Sequence, residues 1–191
     1  ILDPRIPSTA PLSVLESSGC DTLVHCLESF MSVKTNEHVR KYSKSSYKLI
    51  MENMPLLLMN KGSLNNWENM QWASVYAMYA LSNCTAGPTG ALSYYLGTNF
   101  NVNHGVAGGT FLGKVCSFNH KNGFHDFSEL TYQEESLSLD QQEKSSNVVD
   151  EINSLLKLAK IPRKLSRFGV KDSDLDGFYN FTVQAKEAFS Y

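Results

Sequence analysis

An aspartate and a histidine four residues apart carry the most specific chemistry in this sequence. Asp21 and His25 lie in segment 19–25, which reads GCDTLVH. On a helix, residues four apart project from one face, so a carboxylate oxygen and an imidazole nitrogen can reach one metal ion. Glu28 lies on the same face and could orient a metal-binding side chain through a hydrogen bond. The alternative is an ordinary hydrogen-bonded surface pair. The apolar neighbours weigh against it, since polar groups facing a core need partners.

The second candidate is a histidine followed by glycine at the start of a predicted helix. His104-Gly105 follows a loop, and this arrangement brings backbone and side chain close to a ligand. A loop histidine taken alone is more often merely solvated. We expect His38, His120 and His125 at the surface, since each has charged or polar neighbours. The sequence holds no G-x-G-x-x-G, no Walker pattern and no G-x-S-x-G elbow.

The elements that position these residues are all predicted to be helices. Apolar residues recur at helical spacing, and no stretch alternates as a strand would. The first twelve residues, with three prolines, favour an extended entry. Segment 66–84 lacks charges after Glu68, which predicts a helix buried on most sides. Segment 133–147 predicts an exposed loop or a weak helix. The predicted helices run from about 13 to 32, 36 to 60, 66 to 84, 90 to 96, 104 to 115, 148 to 159 and from 172 onward.

Composition narrows the class of protein further. The chain has 191 residues, 42% of them hydrophobic and only 19% charged, which predicts one folded domain and excludes disorder throughout. A net charge of −2 argues against a general nucleic-acid surface, so we expect no nucleic-acid partner. No apolar run reaches the ~18 residues of a membrane span, and we expect no membrane partner.

The cysteines indicate the cellular compartment, and the first residues bear on whether the chain is a whole protein. The four cysteines, Cys20, Cys26, Cys84 and Cys116, form no C-x-x-C motif, and we expect free thiols in a reducing cytoplasm. The chain begins Ile1-Leu2-Asp3-Pro4 without Met or a signal-peptide pattern, and we interpret it as a piece of a longer protein.

Taken in order, these motifs resemble a known enzyme family. An early D-P, then G-x-D-x-L-x-H-x-x-E-S, then a small-residue helix and H-G-V-A-x-G resemble the iron-containing (group III) alcohol dehydrogenases. The similarity is to their all-α, bundle-like C-terminal domain, which is dehydroquinate synthase-like, and it is clearest over residues 2–118. Residues 87–97, GPTGALSYYLG, resemble more narrowly the branch that oxidises 3-deoxy-octulosonate (Kdo), an acidic sugar.

The resemblance implies a metal-dependent oxidoreductase that interconverts an alcohol and its carbonyl with a nicotinamide cofactor. Residues 1–191 would form the helical metal and substrate domain, and NAD or NADP would lie mainly on an N-terminal nucleotide-binding domain absent from this chain. Asp21, His25 and His104 match positions that bind Fe²⁺ or Zn²⁺. The metal would stabilise the alkoxide as hydride passes to the nicotinamide. The family also implies a small-molecule partner and a homo-oligomer.

The sequence departs from the family pattern at one ligand position. Counting back from His104, Gly90 stands where a fourth ligand is usual, and Tyr94 stands where a second histidine is usual. Three protein ligands still make a workable catalytic site. Tyr94 and His104 are then candidate catalytic residues, with Tyr94 donating a proton or a hydrogen bond to substrate. The alternatives are a metal-free reductase of the same family and a helical domain without activity.

Overall fold

The computed structural model describes residues 2–132 and 138–189, with side chains up to residue 185. Within these ranges all regular structure is helical, which confirms the all-α prediction. The α-helices are α1 (Arg5–Ser8), α2 (Leu12–Met31), α3 (Glu37–Leu58), α4 (Leu64–Ser82), α5 (Pro88–Phe100), α6 (His104–Lys121), α7 (Gln141–Leu158) and α8 (Leu175–Phe189). Short 3-10 turns lie at Asp126–Leu130, Leu165–Phe168 and Asp172–Asp174.

Local capping signals explain where several helices begin. The side chain of Asn36 accepts a hydrogen bond from the Val39 backbone and starts α3. Asp140 and Glu143 form a reciprocal capping box at the start of α7. This box places the helix start at Gln141, seven residues before the apolar pattern becomes regular. Of the two alternatives for segment 133–147, the helix is therefore correct from residue 141, and residues 133–137 lie outside the described part.

The extended entry predicted for the first twelve residues is wrong. Asp3 accepts hydrogen bonds from the backbone and side chain of Arg5, and the following residues form the single turn of α1. Proline fixes φ near the helical value, so prolines in a first turn are compatible with this short helix.

Helix α2 is the centre of the molecule. It packs against α3, α4 and α6, and its side chains Leu23, Leu27 and Phe30 are fully buried. A second, smaller cluster joins α5, α6 and α8 through Leu96, Phe111 and Phe178. The site candidates on α2 and α6 therefore lie where the two clusters meet.

The prediction that segment 66–84 is buried on most sides is wrong. Helix α4 buries a stripe of small residues and one methionine against α2 and α3 (Met70, Ala73, Ala77, Ala80). Its opposite face is exposed, at 41–45% for the largest apolar side chains there (Trp72, Val75, Met78, Tyr79). The absence of charge on α4 after Glu68 reflects an aromatic surface, in which Trp72 and Tyr76 lie 5.9 Å apart between ring centroids.

All four cysteines are unpaired, as predicted. Cys20, Cys26 and Cys116 are buried, and burial raises the pKa of Cys20 and of Cys26 to about 12. These thiols therefore act as small core residues. No helix in the described ranges has the length and apolar character needed to cross a bilayer.

Candidate metal centre

The centre begins on one face of α2. Asp21 and His25 are one helical turn apart, and Asp21 Oδ1 lies 3.6 Å from His25 Nε2. The surrounding residues Leu23, Val24 and Leu27 are buried, which fixes the rotation of the helix and keeps this pair at the edge of the core. Both side chains are partly exposed, with 30% of the Asp21 side chain and 19% of the His25 side chain accessible.

The third residue comes from the first turn of α6. The Asn103 side chain caps this helix by accepting from the Gly105 backbone N–H at 3.1 Å, and it also accepts from the Ser17 hydroxyl on α2. A Cβ at Gly105 would overlap the Ser17 carbonyl oxygen, so glycine lets the two helices meet. This close approach places His104 Nε2 at 3.6 Å from Asp21 Oδ1.

The three groups converge as a metal-binding set would. One ligand atom each of Asp21, His25 and His104 lies within 4.8 Å of the others. Asp21 Oδ1 is shielded from solvent and has no hydrogen-bond partner among the described residues, because both imidazole nitrogens lie beyond hydrogen-bond distance. A buried carboxylate oxygen without a donor is costly. A cation between the three groups removes that cost.

The surroundings of His25 favour its neutral form, which is the form that binds a metal. Burial lowers the pKa of His25 and the neighbouring His104 adds to this, whereas Asp21 acts in the opposite direction. A neutral imidazole offers a lone pair to a metal. Two imidazoles and one carboxylate suit iron or zinc better than magnesium or calcium, so the donor set fits the predicted metals.

A cavity of about 310 Å³ opens beside this centre. It is lined by His25 and His104 together with Val24, Glu28, Leu81, Ala86, Gly90, Tyr94 and Phe181. The Tyr94 ring lies 5.0 Å from the His104 ring between centroids, and Tyr94 is 51% exposed. The structure therefore places both candidate catalytic residues on one cavity. Asp21 and His25 also line a second cavity of about 270 Å³ on the α4 side.

Gly90 is buried and offers only its backbone to the cavity. Its N–H donates a 2.8 Å hydrogen bond to Glu28 Oε1. Glu28 is 2% exposed, and burial raises the pKa of its carboxyl to about 7, although backbone hydrogen bonds from Gly90, Gly87 and Thr89 partly offset that effect. Glu28 thus holds the first turn of α5, the helix that carries Tyr94.

This role of Glu28 is missed by reasoning from sequence, which placed it behind the metal ligands. A signal was present, since α5 begins with Gly87-Pro88 and has no side-chain cap of its own. Orphan N–H groups at a buried helix start require an acceptor from elsewhere in the chain. The Gly87 backbone also approaches Glu28 closely, and a Cβ there would lie 3.1 Å from Oε1.

The other histidines lie outside the centre. His38 is exposed, as predicted, and its Nε2 lies 3.3 Å from the Tyr79 hydroxyl. His120 and His125 are partly buried and not at the open surface, so that prediction is wrong for them. The His120 and His125 rings lie 5.1 Å apart between centroids. His120 Nδ1 lies 2.8 Å from the hydroxyl of buried Ser145. The contact joins α6 to α7.

The structure defines an all-α domain in which an aspartate and two histidines from two helices converge beside a cavity. Comparison with known proteins identifies the family to which such a domain belongs. Residues 16–190 match the family model described as Fe-containing alcohol dehydrogenase family, C-terminal. The chain belongs to this family.

Individual relatives agree with the family. A 1,3-propanediol dehydrogenase from Klebsiella pneumoniae is 27% identical over 193 residues, which cover 100% of this chain and 50% of that protein. An NADPH-dependent butanol dehydrogenase from Clostridium saccharobutylicum is 22% identical over 91% of this chain and 44% of its own length. The chain thus spans about half the length of these relatives.

Solved structures show the same architecture. The crystal structure of a 1,3-propanediol oxidoreductase superposes with a TM-score of 0.87 at 25% identity, covering 98% of this chain and 50% of that one. The described fold is therefore that of the C-terminal helical domain in this family.

Proposed function

We propose that the protein containing this chain is a metal-dependent oxidoreductase that interconverts an alcohol and its carbonyl compound with a nicotinamide cofactor. The observation that carries the proposal is the convergence of Asp21, His25 and His104 around a buried carboxylate oxygen that has no hydrogen-bond donor among the described residues. Family membership supports the reaction class, since the relatives compared above are named as alcohol dehydrogenases.

In this proposal the chain supplies three protein ligands and a cavity. Asp21 and His25 from α2 and His104 from α6 would hold Fe²⁺ or Zn²⁺. Such a cation supplies Lewis acidity, which stabilises negative charge that develops on a substrate oxygen. The apolar lining from Val24, Leu81 and Phe181 holds the carbon skeleton and excludes water from the reacting bond.

Tyr94 and His104 are the proposed catalytic residues. The Tyr94 ring lies beside the His104 ring at the cavity wall. A phenol hydroxyl both donates and accepts hydrogen bonds, so Tyr94 can orient a substrate hydroxyl or carbonyl and hold a proton at its own oxygen. Glu28 fixes the helix that carries Tyr94 and so positions it.

We also propose a cofactor and partners for the protein. The Clostridium relative is named NADPH-dependent, which supports a nicotinamide dinucleotide, either NAD or NADP, as the redox partner. The sequence of this chain has no glycine-rich dinucleotide motif, so we place the cofactor mainly on a separate nucleotide-binding domain. We further propose a cytoplasmic homo-oligomer.

The substrate is proposed as a small alcohol. The relatives' names support propanediol- or butanol-like substrates. The acidic sugar implied by residues 87–97 stays a prediction. A panel of short alcohols and Kdo, assayed for nicotinamide reduction with the purified protein, separates the two substrate classes by kcat/KM.

Metal analysis of purified protein tests the centre directly. We expect about one iron or zinc ion per chain, and we expect both metal content and turnover to fall at least tenfold in Asp21→Ala and in His25→Ala, because each removes one of three ligands. His38→Ala is the matched control, since this exposed histidine lies outside the cavities of the centre. Metal content and turnover that survive both ligand substitutions would show the proposal to be wrong.

A metal-free reductase is the second candidate, and Gly90 favours it. The residue offers no side chain, and Glu28 already engages its N–H. Catalysis would then rest on His104 or Tyr94 as the acid. Activity unaffected by a strong chelator in metal-free protein supports this second candidate, whereas loss on chelation with rescue by Fe²⁺ or Zn²⁺ supports the first. Full-length protein that turns over no alcohol or carbonyl in either state would indicate a helical domain without activity.

A further inference from the structure

A separate cavity of about 300 Å³ lies where the segment after α7 crosses α6 and the start of α8. It shares no lining residue with the two cavities of the metal centre. Its lining combines an apolar floor (Phe111, Leu165, Val170) with a rim of three cations (Lys114, Arg163, Lys171). Pockets of this size and mixed character hold small ligands.

Two of the three rim cations, Arg163 and Lys171, belong to the most basic part of the chain. Segment 157–171 contains six lysines and arginines and no acidic residue, although the whole chain has a net charge of −2. Lys114, Arg163 and Lys171 are exposed, and no carboxylate among the described residues lies within ion-pair distance of them. Two carboxylates lie close by, since Asp172 lines the cavity and Asp174 accepts a hydrogen bond from the Lys171 backbone N–H at 2.8 Å. Salt screens charges beyond ~8 Å, so these two anions and the three cations set the local charge, which is net positive.

Arg163 is held in place by packing between α6 and α7. Its Nη2 donates to Asn153 Oδ1 at 2.9 Å, and Asn153 Nδ2 donates to the Val149 carbonyl at 2.8 Å. Gly113 on α6 makes room for this amide, because a Cβ there would lie 2.6 Å from Asn153 Oδ1. One Arg163 donor is thus used for positioning, and four N–H groups remain for a ligand.

We propose that this cavity binds a small organic phosphate. Its apolar or aromatic body would rest on Phe111 and Val170, and its phosphate would meet Arg163 and Lys171 at the rim. A guanidinium donates two parallel hydrogen bonds to a phosphate, and Lys171 supplies a second positive charge for its second negative charge. Asp172 also lines the cavity and repels anions, so the ligand's phosphate lies on the Arg163 side. The proposal does not depend on the metal centre.

Phenyl phosphate and benzyl alcohol are matched probes, since they share a ring and differ in charge. We expect the purified chain to bind phenyl phosphate in calorimetric titrations at least tenfold more tightly than benzyl alcohol. Arg163→Gln with Lys171→Gln should weaken phenyl phosphate about five- to tenfold, because each lost charge contact costs a fewfold in affinity. Amide NMR shifts should locate the probe at Phe111 and Val170.

The control variant combines Lys157→Gln and Lys160→Gln, which removes two charges from the same segment outside the cavity. We expect less than a twofold effect on phenyl phosphate. Equal weakening by the two double variants would show a diffuse surface field and overturn the proposal, as would equal affinity for benzyl alcohol or no binding at millimolar concentration. Thermal denaturation verifies folding, and Lys171→Gln alone, which spares the Asn153 contact, serves if the Arg163 variant unfolds.

Discussion

At the scale of single residues, two carboxyl groups on α2 have opposite surroundings. Asp21 Oδ1 is shielded and receives no hydrogen bond among the described residues, and two imidazole nitrogens face it at 3.6 Å. Glu28 lies two helical turns further along, is almost fully buried and accepts from the α5 backbone. The first geometry leaves an oxygen for the proposed cation, and the second is satisfied by protein alone.

Glu28 gives a prediction for the pH dependence of stability. Burial raises the pKa of its carboxyl in the folded chain to about 7, from 4.5 when unfolded. Between these values the folded state binds the extra proton, so stability falls as pH rises from about 4.5 through 7. Glu28→Gln keeps an acceptor for Gly90 and does not titrate. As pH rises from 4.5 to 8, we expect the unfolding free energy of the variant minus that of the parent to increase by about 3 kcal/mol.

Urea denaturation of both proteins across this pH range measures the difference. Glu68→Gln on α4 is the control, because it makes the same substitution at an exposed carboxylate outside the core. A stability difference for Glu28→Gln that does not change with pH would show that the buried carboxyl has an ordinary pKa.

Residue types and spacing were enough to select Asp21, His25 and His104 as the members of the centre. They did not predict what Glu28 and His120 contact. Asp21 and His25 are one turn apart by helix geometry, and the structure brings His104 to them. The hydrogen bond from Gly90 to Glu28 joins residues 62 positions apart, and no local pattern encodes such a contact. The partly buried His120 was misjudged for the same reason, since its partner Ser145 lies on another helix.

At the scale of helices, the distance between α2 and α6 is set by glycine. Gly105 and Gly108 face α2, and a Cβ at either would clash, with the Ser17 carbonyl at Gly105 and with Val24 Cγ2 at 2.9 Å at Gly108. His104 belongs to the same first turn of α6. The glycines that set the distance between α2 and α6 therefore also set the distance of His104 from Asp21 and His25.

We expect Gly105→Ala to destabilise the chain by about 2 kcal/mol or more and to reduce metal content, because the new methyl group meets backbone and the helices must separate. Gly109→Ala on the same helix is the matched comparison. Its Cβ would meet only side-chain atoms, the nearest being Ile161 Cγ2 at 3.2 Å, which can shift, so we expect at most about 1 kcal/mol. Thermal denaturation and metal analysis of both variants give the comparison, and equal effects would refute it.

Helix type was more predictable than helix surroundings. The 3.6-residue periodicity identified α2, α3 and α6, since core packing repeats along a helix face. The burial of α4 was overestimated because its uncharged residues include an exposed aromatic surface around Trp72. The early start of α7 was missed because residues 141–147 are polar, and only the Asp140–Glu143 capping box marks it.

At the scale of the whole molecule, the chain provides the proposed metal ligands and a cavity, and its sequence has no dinucleotide motif. We therefore expect the isolated 191-residue chain to bind metal while its Kd for NADH is weaker than micromolar. Fluorescence titration with NADH measures this, and metal-free chain is the control. Micromolar binding or tighter would place the dinucleotide site within these residues.

The two tryptophans of the chain differ in their position relative to the metal centre. Trp67 lines the 270 Å³ cavity together with Asp21 and His25, whereas Trp72 lies on the outer face of α4. Occupancy of the centre can therefore be followed by the intrinsic emission of the protein, without a dye or a coupled assay. With Trp72→Phe, the whole indole signal originates at the wall of that cavity.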